Sequence, residues 1–263
     1  MDQSGSMLQP FEGESRTSFA SKVINRVINE IIQKNFNGDK PKNRCFISVI
    51  GYNHNVQELC SGYLSDLYAN PIRVETAKKK IPDGAGGLVE IETKMPVWIE
   101  PITQDGATNM KGAFLMAKQL VEQWIIDKPN NPAPIIINIS DGIPYYDGRP
   151  VNECMQETIQ IVQDIMALGN KDGNVLIFNA EIGNSTTRVV FPGNNEEIQA
   201  AGPGAEFLYN ITSVIPAGFS DAARKNELEL KSNARGCIFN ANGVDLINLV
   251  NFGSSKGQAD AQR

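Results

Sequence analysis

One carboxylate and two hydroxyls stand at alternate positions at the start of the chain: Asp2, Ser4 and Ser6, in the run Asp2-Gln3-Ser4-Gly5-Ser6. In an extended segment that alternation turns all three side chains the same way. Hard oxygen donors suit Mg²⁺, Mn²⁺ or Ca²⁺ better than Zn²⁺. Three donors do not complete a coordination shell, so others must come from distant parts of the chain. Two later loops carry them. Thr108 lies in Asp105-Gly106-Ala107-Thr108-Asn109-Met110, and Asp141 closes the apolar run Ile135 to Ile139. Asp105 is a further acidic neighbour, although turn chemistry accounts for it more simply. Asp2, Ser4, Ser6 and Thr108 could also cap the helices that follow them, and Asp141 could serve only the turn at Gly142. Thr108 can act as a cap and a ligand together.

The elements that would position these loops alternate between helix and strand. Phe19, Val23, Val27 and Ile31 recur every fourth position, with Ala20, Ile24, Ile28 and Ile32 widening the stripe, and predict a helix over 15–35. Asn37-Gly38-Asp39 stops it. Cys45 to Ile50 is a nearly continuous apolar run, as expected of a strand covered on both faces. Val56 to Cys60 is expected to return antiparallel as an edge strand. Further helices are expected over about 110–127, 151–168, 220–231 and 244–252, and strands over 135–139, 175–178 and 237–239. Residues 183–218 read as loop, and 253–263 as a disordered tail.

Residues 63–97 read as an insertion with strands at Leu88 to Thr93 and Val97 to Ile99. The run Asp83-Gly84-Ala85-Gly86-Gly87 lacks the Lys-Ser/Thr of a phosphate-binding loop and is expected to be a plain loop. The alternation as a whole predicts an α/β fold: a Rossmann-like three-layer sandwich, its sheet mostly parallel, with helices on both faces and an antiparallel edge strand. Ligands of such sheets sit beyond the carboxyl ends of the strands, where residues 2–6, 105–109 and 140–142 could meet.

Composition narrows the function. With 41% apolar residues and a net charge of −6, the chain can build a large core and carries no basic stripe for nucleic acid. Lys78-Lys79-Lys80 is the densest basic run and reads as a solvated patch. Cys45, Cys60, Cys154 and Cys237 are widely spaced, with no CxxC pair, and read as reduced thiols; a Cys45–Cys60 disulfide is the minority alternative. His54, the only histidine, reads as a turn residue, which leaves none for a Ser-His-Asp triad. No run is long enough to span a membrane, and no signal peptide is visible.

Asp2, Ser4 and Ser6, then Thr108, then Asp141 resemble, in order and chemistry, the metal-ion-dependent adhesion site of the von Willebrand factor A family. The resemblance extends from residue 2 to about residue 252. Asp83 to Leu88, with Pro96-Val97-Trp98, is similar to a bacterial subgroup of single-domain members. The resemblance implies a protein-binding module without catalysis. Ser4, Ser6 and Thr108 would ligate Mg²⁺ (or Mn²⁺ or Ca²⁺), and Asp2 and Asp141 would act directly or through water. A partner protein would supply an acidic side chain as the sixth ligand. A metal-dependent hydrolase and a secreted or surface adhesin are the alternatives; the free thiols favour the cytoplasm. Kinases, phosphatases or stress-resistance proteins are the partners that family analogy suggests. The last helix, over 244–252, would be the element that moves on binding. The family also places a central strand just before Asp2, where only Met1 stands here. Poor solubility or a vacated sheet centre is therefore expected.

Overall fold

The computed structural model describes residues 1–82, 87–183, 187–202, 204–225 and 230–253. The glycine-rich run at 83–86 and the tail at 254–263 lie outside the described residues, so those two expectations have no counterpart in the structure.

The first helix, α1 (Arg16–Lys34), starts where a serine can cap it: the Ser15 side chain accepts a hydrogen bond from the Ser18 amide at 3.2 Å. Its stripe of Phe19, Val23, Val27, Ile31 and their neighbours is buried, as the periodicity predicts. The strands β1 (Phe46–Tyr52) and β2 (Val56–Tyr63) form an antiparallel hairpin with a bulge at Val49 and Ile50. Cys60 faces Val49 in that register, not Cys45, and both thiols are free. A short helix, α2 (Leu64–Ala69), leads into a long antiparallel hairpin of β3 (Arg73–Pro82) and β4 (Leu88–Val97).

That hairpin corrects the reading of 63–97. A single strand covers 88–97, its partner at 73–82 went unrecognised, and Trp98 and Ile99 are not strand. Their backbone amides donate instead to the Asn25 side-chain oxygen at 2.8 and 3.0 Å, and the Asn25 side chain donates to the Ile99 carbonyl. One side chain of α1 thus stands in for a strand, and it holds Trp98 and Ile99 in the core.

The helix α3 (Met110–Asp127), strand β5 (Ile135–Ser140), helix α4 (Val151–Ala167) and strand β6 (Leu176–Glu181) follow, close to the predicted bounds. After β7 (Val189–Val190), the stretch read as loop holds a 3₁₀ turn at Asn195–Ala201 and the helix α5 (Ala205–Asn210). The helix expected at 220–231 is described only as α6 (Ser220–Lys225); strand β8 (Cys237–Phe239) and helix α7 (Gly243–Gly253) close the chain. Among the described residues no helix is long and apolar enough to cross a membrane.

The chain is mixed α/β. One four-stranded sheet has the order β7-β8-β6-β5, with β5, β6 and β8 parallel and β7 antiparallel at the edge. Leu176, Phe178 and Ala180 of β6 join one apolar cluster with α1 and α7, whereas Ile177 joins another with α3 and α4. Alternate side chains of one strand therefore feed two cores.

The β1–β2 hairpin belongs to no wider ladder. Residues 1–3 connect it to β5 at one end. The Asp2 amide donates to the Ile139 carbonyl at 2.8 Å and the Gln3 amide to the Tyr52 carbonyl at 2.7 Å. The Tyr52 amide donates to the Met1 carbonyl, and the Met1 nitrogen to the Ile50 carbonyl at 2.8 Å. Farther back, toward Phe46 and Ile135, no described strand pairs with either facing edge. Ile47, Val49, Ile135, Ile136 and Ile137 are only half-buried there, whereas every residue of β6 is buried. The Met1 ammonium is buried, and desolvation pushes it down to about 5.

A five-residue Val/Ile segment fused ahead of Met1 is predicted to pair with both edges and replace the buried ammonium by an amide. The thermal midpoint should rise by about 5 °C or more. The same segment with a central proline should leave it unchanged, because proline cannot donate to the ladder. An unchanged midpoint in both would mean that these edges are not open to a strand.

Candidate metal centre

The first loop is shaped by its own polar groups. The Ser4 amide donates to Asp2 Oδ1 at 2.8 Å, and a 3₁₀ turn at Gly5–Leu8 follows. The hydroxyls of Ser4 and Ser6 lie 3.0 Å apart. Asp2 and Ser4 are buried, and Ser6 is exposed, so the loop is open on the Ser6 side. Asp2 Oδ2 is buried with no hydrogen-bond partner. A carboxylate oxygen left this way is costly unless something else neutralises it.

The second loop is fastened to the first by the Gly5 amide, which donates to the Gly106 carbonyl at 2.8 Å. A Cβ on Gly5 would fall on the Asp105 carboxylate, so the two loops meet closely at this point. Asp105 therefore does two things: Oδ1 accepts from the Gly106 amide at 2.8 Å, the expected turn bond, and the carboxylate rests on the first loop. The cap of α3 is Asn109, whose side chain accepts from the Gly112 amide at 2.9 Å. Capping by Thr108 is thereby corrected, and its hydroxyl stays outside the cap. The Thr108 backbone pairs with Tyr145 through bonds of 2.6 and 3.1 Å, which ties the second loop to the segment after Asp141.

Asp141, at the end of β5, is 6% exposed. It lies near enough to Asp2 for its charge to disfavour the Asp2 carboxylate. Burial first, and the Asp141 charge second, push the Asp2 carboxyl from 3.8 up to about 7, against the opposing bonds from Ser4. The structure thus gathers Asp2, Ser4, Ser6 and Asp141 at one end of the sheet, and it holds Thr108 on a loop bonded to both neighbours.

Two further features were not read from the sequence. Arg16, the first residue of α1, donates from Nη1 to Asp141 Oδ2 at 2.9 Å and from Nη2 to the Gly183 carbonyl at 2.7 Å. A cation at a helix N-terminus opposes the helix dipole, and that misfit was the available signal. Beneath the site, the Tyr52 hydroxyl donates to Asn138 at 2.7 Å, Asn138 to Asn179 at 2.9 Å, and Asn179 to Thr212 at 2.8 Å. This buried polar chain links β1, β5 and β6 directly under Asp2. The signal for it was the asparagine that interrupts each of two apolar strands.

No protein-family model, curated protein or solved structure matches this chain. The chemistry of the site is therefore argued from its own atoms. Among the described residues no three His, Cys, Asp or Glu side chains gather as a metal cluster. The candidate donors are instead two carboxylates and three hydroxyls. Hard oxygens around an unpartnered buried carboxylate oxygen fit an oxygen-seeking divalent cation.

The Asp2 shift carries a pH signature. An acid whose folded value lies above its unfolded one loses stability as pH rises between the two, here from about 4 to about 7. Asp2→Asn has no such loss. In chelator its stability should match wild type near pH 4, exceed it increasingly up to pH 7, and keep a constant lead above, on the order of 4 kcal/mol. A pH-independent difference would contradict the assignment.

Proposed function

We propose that this chain is a protein-binding module of the von Willebrand factor A type, in a Rossmann-like three-layer build, working in the cytoplasm without catalysis. Asp2, Ser4, Ser6, Thr108 and Asp141 hold one Mg²⁺, for which Mn²⁺ or Ca²⁺ can substitute. Through that ion the module binds an acidic side chain of a partner protein. The single observation that carries the reading is the gathering of Asp2, Ser4, Ser6 and Asp141 around the orphaned Asp2 Oδ2. The bound ion supplies positive charge that a partner carboxylate can share.

The chain's own residues supply the rest. Neutral hydroxyls from Ser4, Ser6 and Thr108 leave that charge less quenched than carboxylate ligands would. The Gly5–Gly106 bond keeps two loops in register, and the exposed Ser6 side leaves an approach for the partner. The four thiols are free, in keeping with a reducing compartment.

The test is a titration with Mn²⁺ followed by electron paramagnetic resonance, paired with partner capture. One saturable site per chain is expected, weakened about tenfold or more by Ser4→Ala and by Thr108→Ala. Partner capture in Mg²⁺ should disappear with chelator and with Asp141→Ala. Capture that survives both would refute the proposal.

A further inference from the structure

Arg16 has no part in the donor set, yet it is built into it. Its side chain is 11% exposed. The guanidinium reaches three separate loops: Asp141 Oδ2 at 2.9 Å, the Gly183 carbonyl at 2.7 Å and, more weakly, the Ser6 carbonyl at 3.5 Å. Gly183 makes room for it. That residue sits at φ +77°, and a Cβ there would fall 2.8 Å from Arg16 Nε. Nε itself is buried without a hydrogen-bond partner.

This is a poor arrangement for stability alone. A charge placed against the helix dipole, with one buried N–H unpaired, costs free energy that a neutral side chain would not. Its position is better explained by Asp141, which it pairs with and which acts on Asp2. Asp2 and Asp141 carry two negative charges when ionised, and Arg16 cancels one. A divalent cation added to the three gives a net charge of +1, whereas without Arg16 the sum would be zero. Asp105, the other carboxylate at this end, is exposed and screened by water.

We propose, resting on the metal-site reading above, that Arg16 is the internal counter-cation of this site. Its guanidinium and the divalent cation draw on the same Asp141 carboxylate. Arg16 thereby weakens cation binding and leaves the loaded site positive, so that an outside carboxylate is needed to balance it. Arg16 is a charge-setting residue and does not ligate the ion.

Calorimetric titration of the full chain with MnCl₂ decides this. Arg16→Gln should bind Mn²⁺ about tenfold or more tightly than wild type. Arg16→Lys, which keeps the charge, should stay within about threefold of wild type. A wild type too weak to saturate beside an Arg16→Gln chain that does saturate would also support the proposal. Equal or weaker binding by Arg16→Gln, with a saturable wild type, would overturn the role of Arg16 and leave the metal site standing. Saturation in neither chain would overturn both. Should Arg16→Gln unfold, nitrogen NMR of the wild-type guanidinium gives the answer: Mg²⁺ should shift the Arg16 Nε resonance, and a resonance unmoved at saturating Mg²⁺ overturns the proposal.

Discussion

The three residues Met1 to Gln3 do what a whole strand would ordinarily do. Their backbone bonds to Ile139 on one side and to Tyr52 and Ile50 on the other join the β1–β2 hairpin to the four-stranded sheet, beside the Tyr52–Asn138 side-chain bond. Everything at the site follows from that bridge. It fixes Asp2 at the end of β5 beside Asp141; the backbone is extended only as far as Ser4, and the 3₁₀ turn from Gly5 then brings the Ser6 hydroxyl to 3.0 Å from that of Ser4. Among the described residues, no strand pairs with the rest of either facing edge. A site of buried charges is thus suspended from a few hydrogen bonds, each worth on the order of 1 kcal/mol net.

That suspension is compensated from below and from the side. The Tyr52–Asn138–Asn179–Thr212 chain satisfies buried polar groups across three strands and makes the strand ends under Asp2 resist sliding. The Gly5–Gly106 bond and the Thr108–Tyr145 pairing knit the other two loops together. Electrostatics then works against this framework. Two carboxylates close together and out of water repel, and the molecule answers in two ways: Asp2 holds its proton up to about 7, and Arg16 pairs with Asp141. Under the proposed function, a metal ion would compete with that proton and with Arg16 for the same two carboxylates.

Much of this was legible in the sequence, for identifiable reasons. The helix stripe of α1, the apolar runs of β1 and β5, and the polar loop that ends β5 all follow from periodicity and burial, which are local. The hairpin of β3 and β4 was only half legible, because its first strand is too polar, through Arg73, Glu75 and Lys78, to stand out. Trp98 and Ile99 look like strand because they are apolar, but a contact with Asn25, distant in sequence, decides their conformation. Arg16 escaped notice for the same reason. Its partners lie at positions 141 and 183, and the one local sign, a cation where a helix begins, does not say which carboxylate it neutralises. The donor residues themselves could be listed from sequence; the balance of charge among them could not.

The most direct trial of the central claim is a crystal of the full chain grown with MnCl₂, with an anomalous difference map collected near the manganese edge. The account predicts one strong peak at the end of β5, among the hydroxyls of Ser4, Ser6 and Thr108. A map with no peak there, or with manganese bound only to surface carboxylates elsewhere, would contradict it.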